Sequence, residues 1–394
     1  MSSQFRILVI LLFILQIIFC KKDKNSNKNI DKKLLSQLIT IDKYKDSIFG
    51  LQLGSNNPIE DSFFIQNITL LNNEGLFFAI FDGHGGDHLS KYANLLLYPY
   101  FLEAFNVNIF IQDFNKRIVI SLNQSFDRIE NEFLKIAFYE SIKKNYIYSH
   151  VGSCALAGII INKKIFVSNI GDSKARLFFL NEKDNRNDNI NKNLKYEVKK
   201  LSKTFNIRKN SEQTRMRKQF PKDKDIIKCY GHKICYIKGL LQPTKSLGDY
   251  SLKYLYFNIK DLTNIEQYDK YKKFFNGPYI SSVPDIQVYD LKDNYKYLIL
   301  GNNGLWEVIR SKDMAGLIYN FTDINVKNKK FFNNKRYNNL EKIGYGLIDA
   351  SLINYSKATK HDGDYNFFLE TPLGRERRYL HDDITIIVCD LTKY

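Results

Sequence analysis

The chain has 394 residues, 44% of them hydrophobic, enough to bury a sizeable core. Its formal net charge of +17 raises nucleic acid as a partner, but the lysines spread through Asn/Lys-rich stretches such as Asn181 to Lys195 and Asn325 to Asn339. No basic helix and no RNA-binding signature accompanies them, so a nucleic-acid partner is set aside and those stretches read as solvated insertions. The five cysteines form neither a disulfide framework nor a Cys/His zinc spacing. Cys154 and Cys389 read as buried thiols, and Cys229 and Cys235 are close enough to bridge under oxidising conditions.

In chain order, Arg6 leads into the apolar run Ile7 to Phe19, broken only by Gln16 and followed by Cys20 and Lys21-Lys22. A membrane span needs roughly 20 residues. The shorter run fits the core of a secretory signal peptide, so residues 1–20 read as a signal and the location as the secretory pathway or outside the cell. An uncleaved anchor formed by residues 7–19 is the alternative and the one membrane contact expected. Residues 21–44 read as a polar, disordered linker, and residues 45–392 as one domain.

A turn-like stretch, Gly54-Ser55-Asn56-Asn57-Pro58, leads to Glu60-Asp61 and then Ser62-Phe63-Phe64-Ile65. The apolar strand Leu76–Phe81 ends in Asp82-Gly83-His84-Gly85-Gly86, which puts a carboxylate at the mouth of a sheet. There a hard cation could take its oxygens, and the glycines let a main-chain carbonyl turn toward it. Helices are expected over about His88–Phe105 and Ser125–Tyr148; in the second, Phe126, Ile129, Phe133, Ile136 and Tyr139 mark one apolar face. Strands follow at Ala155–Ile161, Ile165–Asn169 and Ala175–Leu180, with Gly171-Asp172-Ser173 between the last two. Residues 203–250 are irregular and carry Leu247-Gly248-Asp249 at a glycine turn. The strand Tyr297–Leu300 runs into Gly301-Asn302-Asn303-Gly304-Leu305-Trp306-Glu307. A helix is expected near Leu340–Tyr355, and His381-Asp382-Asp383 opens the strand Ile384–Cys389. Acidic or amide groups thus recur where strands start or stop; gathered in a cleft they fit several hard metal ions with water ligands.

This ordered set resembles the metal-dependent serine/threonine protein phosphatases of type 2C. The matching elements are Glu60-Asp61, Asp82-Gly83-His84-Gly85-Gly86, Gly152-Ser153-Cys154-Ala155, Gly171-Asp172-Ser173-Lys174, Glu212-Gln213-Thr214-Arg215, Gly239 through Asp249, Asn302 through Glu307, and Asp382-Asp383-Ile384-Thr385. They cover roughly residues 45 to 392 in the family's order. The resemblance implies an α+β fold, a four-layer α/β/β/α sandwich of two antiparallel sheets flanked by helices, with the metal cleft at one edge. It implies hydrolysis of phosphoserine and phosphothreonine in protein substrates by a monomer, through water activated by two Mn²⁺ or Mg²⁺ ions. By motif position Asp82 bridges both ions, Glu60 and the carbonyl of Gly83 serve one, and Asp382 with Asn303 the other. Asp172 and Glu307 border a third, weaker metal position, and His84 is the general acid. Residues 203–250 take the place of a mobile flap beside the cleft.

Departures from the family pattern bear on turnover. Asn303 stands where the family carries an aspartate, so the site loses one charge and should hold metal more weakly. Asn56 stands where an arginine often grips the substrate phosphate, and an amide cannot make that charged fork. Lys245 and nearby basic residues are then expected to supply part of the grip. Thr204-Phe205-Asn206-Ile207 replaces the family's Asp-His-Lys-Pro. The alternative function is therefore a phosphatase-like binding protein with weak or no turnover. Among the remaining residues Asp249 reads as a turn former with a site role as the alternative, Trp306 as core, and His381 and His88 as surface or capping groups.

Overall fold

The computed structural model describes residues 38–44, 46–180, 196–231, 234–260, 275–322, 337–361 and 363–394. The expected signal or anchor (1–20), the first insertion (181–195) and most of the second lie outside the described residues.

Two antiparallel sheets stack face to face. One runs in the order β1 (Leu38–Tyr44), β2 (Ile48–Leu53), β14 (Ile384–Asp390), β13 (Tyr295–Gly301), β7 (Lys174–Leu180), β8 (Tyr196–Lys200). The other runs β12 (Asp285–Asp290), β6 (Lys164–Ile170), β5 (Gly152–Ile161), β4 (Asn73–His84), β3 (Ser62–Leu70), with the short β11 (Leu247–Gly248) beside β5. The central strands are apolar on both faces because both faces are covered. On β4, Leu76, Phe78 and Ile80 pack between the sheets with Leu298, Leu300 and Ile387. Phe77, Ala79 and Phe81 point the other way, under helices α1 (His88–Val107) and α2 (Phe114–Ile142). The far face of the first sheet, with Leu51, Ile299 and Ile386, packs under α4 (Ser311–Thr322) and α5 (Asn339–Ala358). This is the four-layer sandwich expected.

All six expected strands and all three expected helices are present, with shifts that have physical causes. The expected linker yields its last residues, Leu38–Tyr44, to β1, whose pairing with β2 compensates for a polar sequence. Helix α2 starts eleven residues before Ser125, because Asp113 caps it by accepting from the Lys116 amide, and it stops at Ile142. Its buried face runs Phe126, Ile129, Phe133, Ala137, so Tyr139 has rotated into solvent. The stretch expected to be irregular holds α3 (Asn210–Gln219) and a hairpin of β9 (Ile227–Tyr230) and β10 (Ile234–Ile237), closed by a Cys229–Cys235 disulfide. They pack on a separate small core of Ile207, Met216, Phe220, Ile226 and Ile237. Helix α3 buries only Glu212 and Met216, so it has no apolar stripe to read in sequence. No helix among the described residues is long and apolar enough to cross a membrane.

Candidate active site

Strand register brings the acidic groups to one rim. Asp82 is the next residue on the inner face of β4 after Ile80, and it stands opposite Cys154 on β5. Asp172 follows the end of β6. In the other sheet Gly301, the last residue of β13, lies opposite Lys174 and Ile386, so Asn302-Asn303 and Asp382-Asp383 emerge at the same edge. The amide of Asn303 donates to Asp82 Oδ2 at 3.2 Å and joins the two sheets across the site.

The groups are mostly buried, and one set of them is close. Oxygens of Asp82 and Asp172 and the Cys154 sulfur all lie within 4.8 Å of one another. Burial, reinforced by the Asp172 and Asp382 carboxylates, holds Asp82 well above the usual carboxylate range. Asp382 is pushed up to about 7 by burial, although Arg378 lies 2.9 Å away. Glu60 is raised by burial and then by Asp383. The rim therefore concentrates carboxylates that Arg378 and His84 compensate only in part, which a buried site cannot do cheaply.

Two carboxylates are structural. Asp383 Oδ1 accepts from the amides of Ser55 (2.6 Å) and Asn56 (3.0 Å) and from Ser55 Oγ (3.1 Å). Its Oδ2 accepts from the Glu60 amide (3.1 Å) and Asn56 Nδ2 (2.9 Å). One side chain thus fastens the loop that carries Glu60. Asp61 turns inward and accepts from Asn302 Nδ2 (2.8 Å) and Thr385 Oγ1 (2.5 Å). Glu60 is the member of the pair left for the rim. Loop and strand touch backbone to backbone: a Cβ at Gly83 would fall 2.1 Å from the Glu60 carbonyl oxygen.

These residues fit a hard divalent cation on an observation independent of charge. The Oδ1 of Asn303 is a buried acceptor with no donor among the described residues. Left without a partner it costs desolvation energy, and an ion bound there would satisfy it.

His84 and Asp249 form a pair that the sequence reading missed. Nε2 of His84 lies 2.8 Å from Asp249 Oδ2. Burial works against a charged imidazole here, yet the Asp249 carboxylate overrides it and raises the pKa to about 9. Gly152 leaves room for the contact: a Cβ there would sit 2.1 Å from Asp249 Oδ2 and 2.3 Å from His84 Nε2. Asp249 is thus more than the turn former expected; it adopts a left-handed conformation, φ 51°, and also accepts from Ser246 Oγ at 2.5 Å.

Other expectations meet different outcomes. Asp172 accepts from Asn206 Nδ2 at 2.6 Å, so the segment 204–207 supports the rim from outside. Glu307 is partly exposed and pairs with Arg208 at 2.8 Å. Asn56 spends its amide on Asp383 and Glu60 (3.4 Å). Lys245 donates to the Val283 carbonyl at 2.7 Å and lies over the Phe205 ring, so it is committed away from a phosphate. His381 is buried, not at the surface: it sits 2.7 Å from the Asp382 carbonyl oxygen, receives Arg377 Nε at 3.1 Å and stacks on Phe368. Burial pushes it down to about 4, so it stays neutral. Trp306 is core, and its Nε1 donates to the Gly301 carbonyl at 2.9 Å.

The profile of the protein phosphatase 2C family matches residues 53–341. Probable protein phosphatase 2C 79 of Arabidopsis thaliana is 27% identical over 359 residues, covering 88% of this chain and 82% of the relative. Probable protein phosphatase 2C 28 of rice is 25% identical over 338 residues, covering 85% and 75%. A solved serine-threonine phosphatase 2C from Toxoplasma gondii shares the fold, with a TM-score of 0.55 and 14% identity, over 90% of this chain and 97% of that one. The family profile spans most of the sandwich and most of the rim, and on that ground the chain belongs to the protein phosphatase 2C family of metal-dependent serine/threonine protein phosphatases.

Proposed function

We propose that the chain hydrolyses phosphoserine and phosphothreonine in proteins with two Mn²⁺ or Mg²⁺ ions held by Glu60, Asp82, the carbonyl of Gly83, Asp382 and Asn303. Asp172 and Glu307 border a weaker third position. The observation that carries the reading is a cluster of buried carboxylates around Asp82, which accepts from the backbone amide of Asn303, a residue whose Oδ1 has no donor among the described residues. Bound divalent ions supply a water of lowered pKa and offset charge on the phosphoryl oxygens. The protein does the rest. Asp383 fixes the Glu60 loop, and Asp61 locks β14 to the Asn302 turn. Asp249 orients His84 through Nε2 and favours its charged form, which leaves the Nδ1 proton to be given to the departing seryl or threonyl oxygen.

Asn303 lowers the ligand charge and Asn56 is engaged with Asp383, and together they favour attenuated turnover. They also support a second reading, a phosphatase-like binding protein. Hydrolysis of a phosphothreonine peptide with Mn²⁺ separates the two. The parent is expected to be slow, Asp82→Asn dead, and Asn303→Asp faster at about tenfold lower Mn²⁺. Equal rates for the parent and Asp82→Asn overturn the enzyme reading; activity in Asn303→Asp alone selects the binding protein. We infer a monomer in an oxidising, secretory compartment; the apolar run Ile7–Phe19 and the Cys229–Cys235 disulfide support the compartment. N-terminal sequencing and sizing of the mature protein test this, and an uncut N-terminus on a soluble, reduced protein would contradict it.

A further inference from the structure

A second concavity, of about 370 Å³, opens beside the acidic rim and has the opposite charge. Arg176, Lys200, Lys203 and Lys209 line it, together with Glu212. Arg176 and Lys200 lie directly opposite each other on β7 and β8. Arg176 is only 3% exposed; its Nε donates to Ser311 Oγ at 3.1 Å and its Nη1 to the Ala175 carbonyl at 2.8 Å. Among the described residues no carboxylate lies within ion-pair distance of Arg176, Lys200 or Lys209. The acidic groups nearby are already engaged: Asp285 with Lys203, Glu307 with Arg208, and Glu212 with Arg215.

Burying a guanidinium without a counter-ion is costly, and an anion in the cleft would offset that cost. Burial alone pushes Arg176 down to about 10, and Lys209 is lowered by burial and then by the like charges of Lys200 and Arg176. Helix α3 begins beside the cleft with no side-chain cap, so its first-turn amides add partial positive charge.

The cleft lies near the rim, since the Asp172 carboxylate acts on Lys209, a cleft residue. Asn206, which donates to Asp172, and Arg208, which pairs with Glu307, belong to the same 204–209 segment that walls the cleft. A ligand spanning both would place one group at the acidic rim and an anionic group among these cations.

We propose that this cleft takes an acidic side chain or a second phosphate of the protein substrate, near the phosphorylated residue, and so selects acidic phosphoprotein segments. The inference rests on the phosphatase reading for the identity of the ligand.

Three phosphothreonine peptides test it on the full chain with Mn²⁺: one with neutral flanks, one flanked by Asp and Glu, one with a second phosphoserine. The readouts are kcat/KM for each peptide and Kd for its non-hydrolysable phosphonate analogue by fluorescence anisotropy. The parent is expected to prefer the acidic or doubly phosphorylated peptide by about tenfold, expressed in KM and Kd. Which of the two gains more separates a carboxylate from a phosphate occupant. The Lys200→Ser/Lys209→Ser variant brings the ratio close to one, whereas Lys135→Ser/Lys357→Ser, remote surface lysines, leaves it intact. Equal Kd for all three peptides on the parent overturns the inference. So does an equal loss in the remote variant, which would mean diffuse steering by net charge. Turnover without preference sinks the cleft and spares the phosphatase reading; preference in Kd without turnover supports the cleft and sinks the phosphatase.

Discussion

His84 and Asp249 lie 165 residues apart in the chain and 2.8 Å apart in the fold. Their contact exists only because residue 152 is a glycine. A general acid matters most when the leaving group is poor, which gives the pair a signature beyond lost activity. Asp249→Asn should lower kcat on a phosphothreonine peptide by about 100-fold, and the loss should shrink to a few-fold with p-nitrophenyl phosphate, whose leaving group needs no proton. Gly152→Ala should give the same split by forcing the pair apart. Equal losses on both substrates would mean that Asp249 only supports the fold. The type of chemistry at Asp82 and His84 was legible, since an apolar run ending in a carboxylate and a glycine-flanked histidine has few structural uses. The partner was not, because nothing local to Asp249 distinguishes an oriented carboxylate from one that caps a turn. His381 was misread for a related reason: a histidine beside two aspartates looks solvated, and its burial depends on Phe368 and Arg377, which tertiary packing brings to it.

Among elements, the loop 55–60 depends most on a single distant group. It has no regular structure, and Asp383 at the head of β14 receives three of its amides and two of its side chains. Removing a buried carboxylate that accepts several bonds leaves donors unsatisfied. Asp383→Ala should cost roughly 3 kcal/mol in urea unfolding and should raise the Mn²⁺ needed for half-maximal activity, because Glu60 loses its anchor. Unchanged stability would show that the loop is held by something else. Elements whose faces are both covered were readable as continuous apolar runs, as in β4, β5 and β14. β1 and α3 were not: Asp42 and Lys43 interrupt one, and the other buries only two side chains, so pairing and a small satellite core decide their structure.

Across the whole molecule, the three large apolar cores and the acidic rim have separate energetic roles. The cores between the sheets and under each helical layer owe nothing to metal, so a chelator should leave the protein folded. The rim works against the fold, because burial and mutual repulsion raise Asp61, Asp82 and Asp382 together. A divalent ion that binds the folded rim relieves this, and by mass action Mn²⁺ at 100 times its Kd should add about 2.7 kcal/mol. Charge substitutions then act in opposite directions with and without metal. Asp82→Asn should raise the Tm of chelated protein, since it removes one charge from a like-charge cluster, and should abolish the Mn²⁺ shift. Asn303→Asp should lower the chelated Tm and enlarge the shift, because the added carboxylate repels its neighbours when no ion is there and binds the ion when it is. Differential scanning of the three proteins in chelator and in Mn²⁺ checks the pattern without any activity assay. If the chelated Tm falls in Asp82→Asn and rises in Asn303→Asp, the rim is not a repulsive cluster awaiting cations, and the assignment of Asn303 to a metal position loses its physical basis.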